Sequence, residues 1–427
     1  MSPNESVLFS PLIVGKLSIA GRIIKTATSE TRATADGLAT QQHIDLYLPM
    51  AKGGVPLIIT GNIYPSLDGK STPLQMGAED DAKIPALKHL VDSIHVHGTR
   101  IFAQLNHAGR QVVPAFAGIH EAVSASGVKD LTTGTRPRAL TAAEIEQIVQ
   151  EFAAAADRCK RAGFDGVQIH AAHGYLINQF LTPYTNKRTD EYGGSFENRL
   201  RFLRDVYRAI RARVGSGYPV IIKLNGSDYL PLRPGLETPE LVRVAVVMER
   251  EGIDAVEISV GQYESGFPMV RGTFGRCLRQ MRLGSVPHLS AWRRMAFDLF
   301  RLPMALAFNL LFKRREGFNL HYARQFKHAL SIPVICVGGF LDRAAMQSAV
   351  EQGLCDAVSV GRGFIADPLL YRHLREETSG PRCVYCNACV GSIGARPVDC
   401  YHPAVRKEKD AMLAAMQERG AGAAQPG

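Results

Sequence analysis

The amino-acid sequence predicts a (β/α)8 barrel, and three observations favour that class. Eight short apolar runs, each suited to a buried strand, alternate with helical segments between residues 21 and 361. Three units end their helix at a glycine (Gly163, Gly252 or Gly353), which is followed by an aspartate and the next apolar run. The runs are apolar throughout, as in parallel sheets that are covered on both faces. A doubly wound sheet is the less favoured alternative.

The strands and helices can be placed from these patterns. The eight predicted strands, in chain order, are GRIIKTATS, GVPLIITGN, TRIFAQLNHAG, GFDGVQIH, PVIIKLNGSDY, GIDAVEISV, PVICVGGF and LCDAVSVG. The helix before the fourth strand opens with Thr141 and Glu144, a capping-box pair, and has apolar residues at helical spacing. In such a barrel, the chemistry is expected at the C-terminal ends of the strands.

Composition excludes several classes of protein. The 427 residues are 46% hydrophobic and 21% charged, which indicates a globular protein. The formal charge of +10 suits polyanions, but no zinc finger or other nucleic-acid-binding motif is present, so no nucleic-acid partner is expected. The first residues lack the features of a secretory signal. Cys159, Cys277, Cys336 and Cys355 stand singly in apolar surroundings, which favours a reduced, cytoplasmic protein.

Polar residues and glycines follow five of the predicted strands, which predicts one shared site. They are Gln104, Asn106 and His107; His170 and His173; Lys223 and Asn225; Gly338 and Gly339; Gly361 and Arg362. Glycines after the seventh and eighth strands, one followed by arginine, suit a bound phosphate. The alternative is that these glycines only make tight turns.

The stretch IHAAHGYLINQFLTPYTNKRTDEYGGS places two histidines and a tyrosine close together. On a regular strand, residues three apart face opposite ways, so His170 and His173 converge only if the strand ends between them. Tyr175 follows immediately and is protonated at neutral pH. A catalytic group is one interpretation, and a histidine pair that supports a loop is the other.

The chain resembles the old yellow enzyme family of FMN-dependent oxidoreductases. LFSPLIVGKLSIAGRIIKTATS, FAQLNHAGR, HAAHGYLINQFLTPYTNKRTDEYGGSFENRLRF and SVGRGFIADP match that family in order, over roughly residues 8 to 370. The long fourth-strand motif is the most specific of them. The resemblance implies FMN in the barrel, NAD(P)H as electron donor and an α,β-unsaturated carbonyl compound as substrate.

The resemblance also assigns roles to residues. His170 and His173 would donate hydrogen bonds to the substrate carbonyl oxygen, and Tyr175 would protonate the α-carbon. Lys223 stands where most relatives have arginine, and Ser29 where many have threonine or cysteine, so tuning of the flavin would differ here. The residues implied to bind FMN are Thr26, Ala27, Thr28, Ser29, Asn62, Gln104, Lys223, Gly338, Gly339, Gly361 and Arg362.

A cysteine-rich extension is predicted over residues 381–427, after a barrel over residues 1–380. Cys383, Cys386, Cys389 and Cys400 have a three-plus-one spacing that favours a [4Fe–4S] cluster over a four-cysteine zinc site. The segment is similar to the trimethylamine dehydrogenase and 2,4-dienoyl-CoA reductase branch, which implies a cluster near FMN. The last stretch, ERGAGAAQPG, is predicted to be a disordered tail.

An insertion of about residues 261–319 is predicted after the sixth strand. Its core, residues 292–315, is apolar with basic ends, and Asp298, Arg301 and Pro303 interrupt it, which argues against a transmembrane helix. The preferred interpretation is a hydrophobic lid or subunit contact, which would suit a large apolar substrate. Peripheral contact with an anionic membrane is the alternative.

Three functions remain open from the sequence. The first is an FMN-dependent ene-reductase, and the second is an iron–sulfur flavoprotein that dehydrogenates an amine or other reduced substrate. The sequence has no dinucleotide-binding fingerprint of a further nucleotide-binding domain. The second function would therefore need a separate electron-transfer protein. The third, a barrel that only serves as a scaffold, does not explain the His–His–Tyr motif. In each case a homo-oligomer is expected.

Overall fold

A computed structural model describes residues 6–230 and 232–422, and it contains a closed barrel of eight parallel strands. The strands are β1 (Ile23–Lys25), β2 (Leu57–Ile63), β3 (Arg100–Leu105), β4 (Gly166–Ala171), β5 (Val220–Asn225), β6 (Ala255–Ser259), β7 (Val334–Val337) and β8 (Ala357–Val360). Each pairs in parallel with the next along the chain, and β8 pairs with β1 to close the barrel. The predicted (β/α)8 class is confirmed.

One helix follows each barrel strand. These helices are α1 (Gln41–Lys52), α2 (Ile84–His95), α3 (Ala142–Arg161), α4 (Phe196–Val214), α5 (Thr238–Glu251), α6 (Leu320–Ala329), α7 (Arg343–Glu351) and α8 (Leu370–Glu376). The three glycines that were predicted to end helices all have positive φ, +95° at Gly163, +103° at Gly252 and +65° at Gly353. Only glycine adopts this backbone without strain, which explains the repeated pattern.

The lower half of the barrel is a packed core. Alternate side chains of the short strands fill its interior, among them Ile24, Phe102 and Ile335, all fully buried. An N-terminal antiparallel hairpin, Leu12–Val14 with Leu17–Ile19, closes this end and contributes to the same cluster. The opposite end, where the strands finish, is therefore the one left open for a site.

Several further helices lie outside the regular repeat. They are Pro114–Ala117, Leu176–Leu181, Gly275–Leu283, Ala291–Leu311, Arg362–Ala366, Ala388–Gly391 and Pro403–Gly422. Pro303 lies inside the helix Ala291–Leu311 without ending it. No helix in the described ranges is both long and apolar enough to span a bilayer. The last helix includes the first five residues of the predicted disordered tail, and residues 423–427 lie outside the described part.

The predicted capping box at the start of α3 is present and gives a first test of the fold. The Thr141 hydroxyl accepts from the Glu144 backbone N–H, and the Thr141 backbone N–H donates to the Glu144 carboxylate at 2.8 Å. Replacing Thr141 with alanine should lower the free energy of unfolding by about 1 kcal/mol, because a backbone donor loses its partner. Urea unfolding measures this loss, and Thr141→Ser should retain most of the stability.

Candidate active site

A cavity, which we call the barrel cavity, opens at the C-terminal ends of the strands. The structure brings almost all the predicted site residues to its wall. Gly338 does not line the cavity, because it lies behind the wall, where its carbonyl accepts from the Phe318 N–H at 3.1 Å. The predicted residues that line the cavity are Thr26, Ala27, Thr28, Ser29, Asn62, Gln104, His170, His173, Tyr175, Lys223, Gly339, Gly361 and Arg362.

Three further strand-end residues among those predicted do not join this wall. The backbone N–H of Gly109 donates to the His107 ring, whose other nitrogen lies 3.4 Å from Asp68. The Asn225 amide accepts from the His173 backbone N–H at 3.2 Å. Asn106 is fully buried and also lies outside the wall. At least two of these polar side chains therefore shape the loops behind the site.

Lys223 forms a buried ion pair at the floor of the cavity. Its ammonium lies 3.0 Å from the Glu257 carboxylate and donates to the Thr26 hydroxyl at 3.0 Å. Burial acts to raise the pKa of Glu257, but Lys223 and the hydroxyls of Ser359 and Thr26 outweigh it and hold the pKa below its ordinary value. The floor therefore carries a cation whose charge is balanced by a carboxylate.

A second buried lysine, Lys25, was not predicted as part of the site. It donates to the Thr26 carbonyl at 2.8 Å and to the Thr28 hydroxyl at 3.0 Å. Burial, opposed by Glu30 and assisted by Lys223, lowers its pKa to about 8. The signal in the sequence was a charged residue inside an apolar strand, which is rare unless a partner is present.

The turns after β7 and β8 form the narrow end of the cavity. Gly339 has φ +73°, and a Cβ added at Gly361 would lie 3.0 Å from the Thr28 methyl group. The Arg362 guanidinium donates to the Arg271 carbonyl at 2.7 Å and also bonds Asn387. Any larger residue at Gly339 or Gly361 would place a side chain in the space around these turns. Glycine at both positions leaves the backbone of the turns accessible.

His170, His173 and Tyr175 come together as the motif predicts. Strand β4 ends at Ala171, and His173 has φ +60°, which turns its ring towards that of His170. The ring centroids of the two histidines are 5.0 Å apart, and those of His170 and Tyr175 are 4.8 Å apart. The Ala172 backbone N–H donates to His170 Nδ1 at 3.2 Å, so the ring proton lies on Nε2.

Burial keeps all three groups neutral. It holds the pKa of His170 well below its ordinary value, with His173 and Lys223 acting in the same direction. Burial, with Lys223, lowers the pKa of His173 to about 3. Burial and the neighbouring Tyr263 hold the pKa of Tyr175 well above its ordinary value. At neutral pH the cavity therefore presents imidazole and phenol groups without charge.

Two neighbours of this group were missed from the sequence. The Ser259 hydroxyl, at the end of β6, lies 2.7 Å from His173 Nε2. The Tyr263 hydroxyl lies 3.2 Å from the Tyr175 hydroxyl. The turn Tyr263–Ser265 is held by a buried ion pair, 3.0 Å long, between Glu264 and Arg110. No local pattern marks Tyr263, because its role depends on this contact between distant segments.

The buried His173 gives the protein a defined sensitivity to acid. In the unfolded chain, histidine has a pKa of about 6.5. Below that pH, the unfolded chain therefore binds a proton at this residue that the folded chain does not bind. The contribution to stability is present above about pH 6.5 and is lost as the pH falls towards about 3. We expect the melting temperature to fall less steeply across this window in His173→Asn, and equal slopes would contradict this assignment.

The four cysteines of the extension line a second, smaller cavity, which we call the thiol cavity. Apolar side chains surround them, and the Tyr385 N–H points at the Cys383 sulfur at 3.4 Å. Within the described ranges, no three Cys, His, Asp or Glu side chains stand close enough to share a single metal ion. The predicted ligands Cys383, Cys386, Cys389 and Cys400 nevertheless share this one space.

The two cavities share a wall. Arg362, Ile365 and Cys389 line both of them. The Tyr385 hydroxyl, from the cysteine segment, donates to the Gly339 carbonyl at 2.7 Å in the turn after β7. Whatever occupies the thiol cavity therefore lies directly beside the narrow end of the barrel cavity.

Comparison with known proteins decides the family. Residues 7–282 match the model of the NADH:flavin oxidoreductase / NADH oxidase family. The chain belongs to this NADH:flavin oxidoreductase family. A second model, that of dihydrouridine synthase, matches residues 313–409, which include β7, β8 and the cysteine segment. Family membership confirms the resemblance that the motifs predicted.

Relatives of this flavin oxidoreductase differ in length. An NADH oxidase of Thermoanaerobacter brockii is 34% identical over 394 residues, 91% of this chain and 54% of that protein. An NADPH dehydrogenase of Listeria welshimeri is 36% identical over 258 residues, 60% of this chain and 74% of that protein. The structure of a 2-naphthoyl-CoA reductase complex aligns with a TM-score of 0.79 at 28% identity, over 96% of this chain and 58% of that one. The chain thus spans about half of the length of the oxidase.

The barrel cavity fits FMN by the chemistry of its donors. The narrow end combines accessible backbone at Gly339 and Gly361 with the Arg362 cation, as a phosphate requires. The wider part offers Gln104 and Lys223, a hydrogen-bonding amide and a cation that suit the polar edge of a flavin ring. These are the residues that the family resemblance assigns to the cofactor.

Proposed function

We propose that the chain is an FMN-dependent enzyme that uses NAD(P)H to reduce the C=C bond of α,β-unsaturated carbonyl compounds. One observation carries this proposal: the neutral rings of His170 and His173 and the Tyr175 phenol meet in one wall of the barrel cavity. Donors to an oxygen and a proton donor to carbon are what such a reduction requires. FMN, when bound, supplies the hydride that the β-carbon receives.

The histidines stabilise the oxygen of the substrate. Charge develops on the carbonyl oxygen as the β-carbon gains hydride, and fixed N–H donors lower the energy of that state. The His170 ring proton lies on Nε2, because Nδ1 already accepts from the Ala172 N–H. We infer that the Ser259 hydroxyl donates to His173 Nε2 and so leaves the ring proton of His173 on Nδ1.

Tyr175 completes the reaction by giving its proton to the α-carbon. Its high pKa keeps the phenol protonated until the substrate carries negative charge. The proton must then be replaced, and the Tyr263 hydroxyl, 3.2 Å away, is placed to supply it. We infer that Tyr263 relays protons to Tyr175, so the inserted segment takes part in the chemistry.

The walls of the cavity favour a large apolar carbonyl compound. Phe267, Met269, Val270 and Phe318 line one side, and Val390 and Ile393 of the extension line another. The two cations that line the described cavity, Lys223 and Arg362, are assigned to FMN, so the wall left for the substrate carries the neutral groups of His170, His173 and Tyr175. That arrangement suits a carbonyl oxygen better than an ammonium group.

An anaerobic assay tests this function. Purified protein reconstituted with FMN should oxidise NADPH or NADH only when a cyclic or polycyclic enone is added, with formation of the saturated ketone. Protein that binds FMN and consumes NAD(P)H but produces no saturated ketone from any enone of a broad panel would refute the proposal. Simple saturated ketones of the same size are the matched control substrates.

We further propose that the thiol cavity holds a [4Fe–4S] cluster. A zinc ion needs its sulfurs about 2.3 Å from a single atom, whereas a four-iron cluster binds each thiolate through a different iron. The four thiols share one apolar space without forming a single-ion site, and a backbone N–H faces one sulfur. Hydrogen bonds to sulfur and an apolar surrounding are the usual means of tuning such clusters.

The shared wall favours a second candidate function. A cluster in the thiol cavity would lie beside the flavin site, because Cys389 and Arg362 line both spaces. The chain could then oxidise a reduced substrate and pass electrons through the cluster to a separate protein. In that case the substrate alone should bleach the flavin absorbance, and NAD(P)H should be a poor reductant.

Replacing Cys389 with alanine should remove the iron. The expected result is loss of essentially all acid-labile sulfide and of the reduced-cluster EPR signal, because one of four thiolates is missing. Cys159, also buried but in helix α3, provides the matched control, and Cys159→Ala should retain both signals. Unchanged iron content in Cys389→Ala would exclude this cluster site.

A further inference from the structure

The helix Ala291–Leu311 in the insertion, which we call the amphipathic helix, presents an apolar face to solvent. Six of its large apolar residues recur every three or four positions and so form one stripe. These six residues are between 61% and 70% exposed, whereas the large apolar residues of a helix that packs on a core are mostly buried. The stripe consists of Trp292, Met295, Leu299, Leu302, Leu306 and Leu310.

The other side of the amphipathic helix fixes this orientation. Phe308 and Phe312 lie there and pack against Phe274, with ring centroids 5.2 Å and 6.1 Å from it. Asp298 pairs with Arg282 of the preceding helix, Gly275–Leu283. Because these contacts hold the helix against its neighbours, the outward stripe cannot be buried by a simple rotation of the helix.

Basic residues are concentrated along the segment that contains the stripe. Residues 276–315 contain nine arginines or lysines and one aspartate, whereas the whole chain has 50 basic and 40 acidic residues. This one segment therefore supplies most of the excess positive charge of the chain. Arg294 and Lys313, near the two ends of the helix, are both exposed.

We propose that the amphipathic helix docks the protein on an anionic membrane surface, with the stripe in the acyl region and the basic residues at the headgroups. Apolar area and basic charge on one helix are what interfacial binding requires. A second copy of the chain is disfavoured as occupant, because a two-fold contact would bring two strongly basic surfaces together. No described helix is suited to crossing the bilayer.

Vesicle flotation with the full-length, FMN-loaded protein tests this proposal. The protein should float with phosphatidylcholine vesicles that contain phosphatidylglycerol, and weakly with pure phosphatidylcholine vesicles. High salt should reduce the bound fraction, because it screens the basic residues. Equal binding to both vesicle types, or binding to neither, would overturn the proposal.

Matched variants separate the apolar stripe from the basic charge. Leu299→Glu combined with Leu306→Glu should weaken binding at least roughly tenfold, and Arg294→Gln with Lys313→Gln should weaken binding only to the anionic vesicles. Val96→Glu changes a 77% exposed valine that follows α2 at the opposite end of the barrel, and it should bind as the wild type does. Unchanged flavin absorbance and circular dichroism show that each variant is folded.

A second copy of the chain is the competing occupant of the stripe, and it would give a different experimental result. If a second copy covers the stripe, sedimentation would show that the wild type is a dimer and that the Leu299→Glu, Leu306→Glu variant is a monomer. The wild type would then not float with vesicles. That outcome would overturn membrane docking. Flotation of the stripe variant at wild-type level would overturn it as well.

Discussion

Replacing Tyr175 with phenylalanine is expected to lower the turnover of an α,β-unsaturated carbonyl substrate by about 100- to 10,000-fold. The substitution removes only the hydroxyl, and the ring keeps its edge contact with His170, 4.8 Å between centroids. The loss should appear in kcat more than in KM, because the proton is needed after the substrate is bound. Anaerobic steady-state assays with an enone measure both constants.

Two controls show whether the lost proton is the cause. NAD(P)H oxidation with oxygen as acceptor should be unchanged in Tyr175→Phe, since that reaction needs no proton on carbon. Tyr263→Phe should slow the enone reaction less, because the Tyr175 hydroxyl remains and only its partner at 3.2 Å is removed. Wild-type enone turnover in Tyr175→Phe would exclude this residue as the proton donor.

Replacing His170 with alanine is expected to lower kcat by about 100- to 1000-fold, the usual cost of losing one donor to a developing oxyanion. His170 is the better defined of the two donors, because the Ala172 N–H fixes its tautomer. Its depressed pKa means that the donor is neutral imidazole, so the rate should not fall as the pH rises from 6 to 8.

A conservative substitution distinguishes donation from packing. His170→Asn keeps an N–H donor in a smaller side chain and should recover part of the lost rate, whereas His170→Ala leaves a space beside Tyr175. Affinity for a phenol, whose oxygen can occupy the carbonyl position, should fall in parallel with kcat. Equal rates in the asparagine and alanine variants would show that the ring only packs.

The barrel could be predicted because its signals are local and repeated. Glycine stops, apolar runs and the capping box at Thr141 each depend on a few neighbouring residues, and the structure has all of them. The position of the site followed from the rule that strand ends carry the chemistry. His170 and His173 were predicted to converge if the strand ends between them, and β4 ends at Ala171.

The parts that the sequence did not predict depend on contacts between distant segments. Lys25 and Glu257 are charges inside buried strands and could have been suspected, but their neighbours cannot be read from one strand. Tyr263 carries no such signal, since a buried ion pair between Glu264 and Arg110 holds its turn. Gly338 was placed in the site as one of the two glycines after the seventh strand that suit a phosphate, and the structure puts it behind the wall.

The wall between the two cavities couples the two proposed prosthetic groups, FMN and the iron–sulfur cluster. Tyr385 and Asn387, which contact Gly339 and Arg362, belong to the segment that the proposed cluster would order. If iron were scarce, this segment would lose its anchor, and the turns after β7 and β8, which are proposed to bind the flavin phosphate, would lose two of their contacts. Cells starved of iron should therefore accumulate protein that is pale in the visible spectrum, short of both prosthetic groups at once.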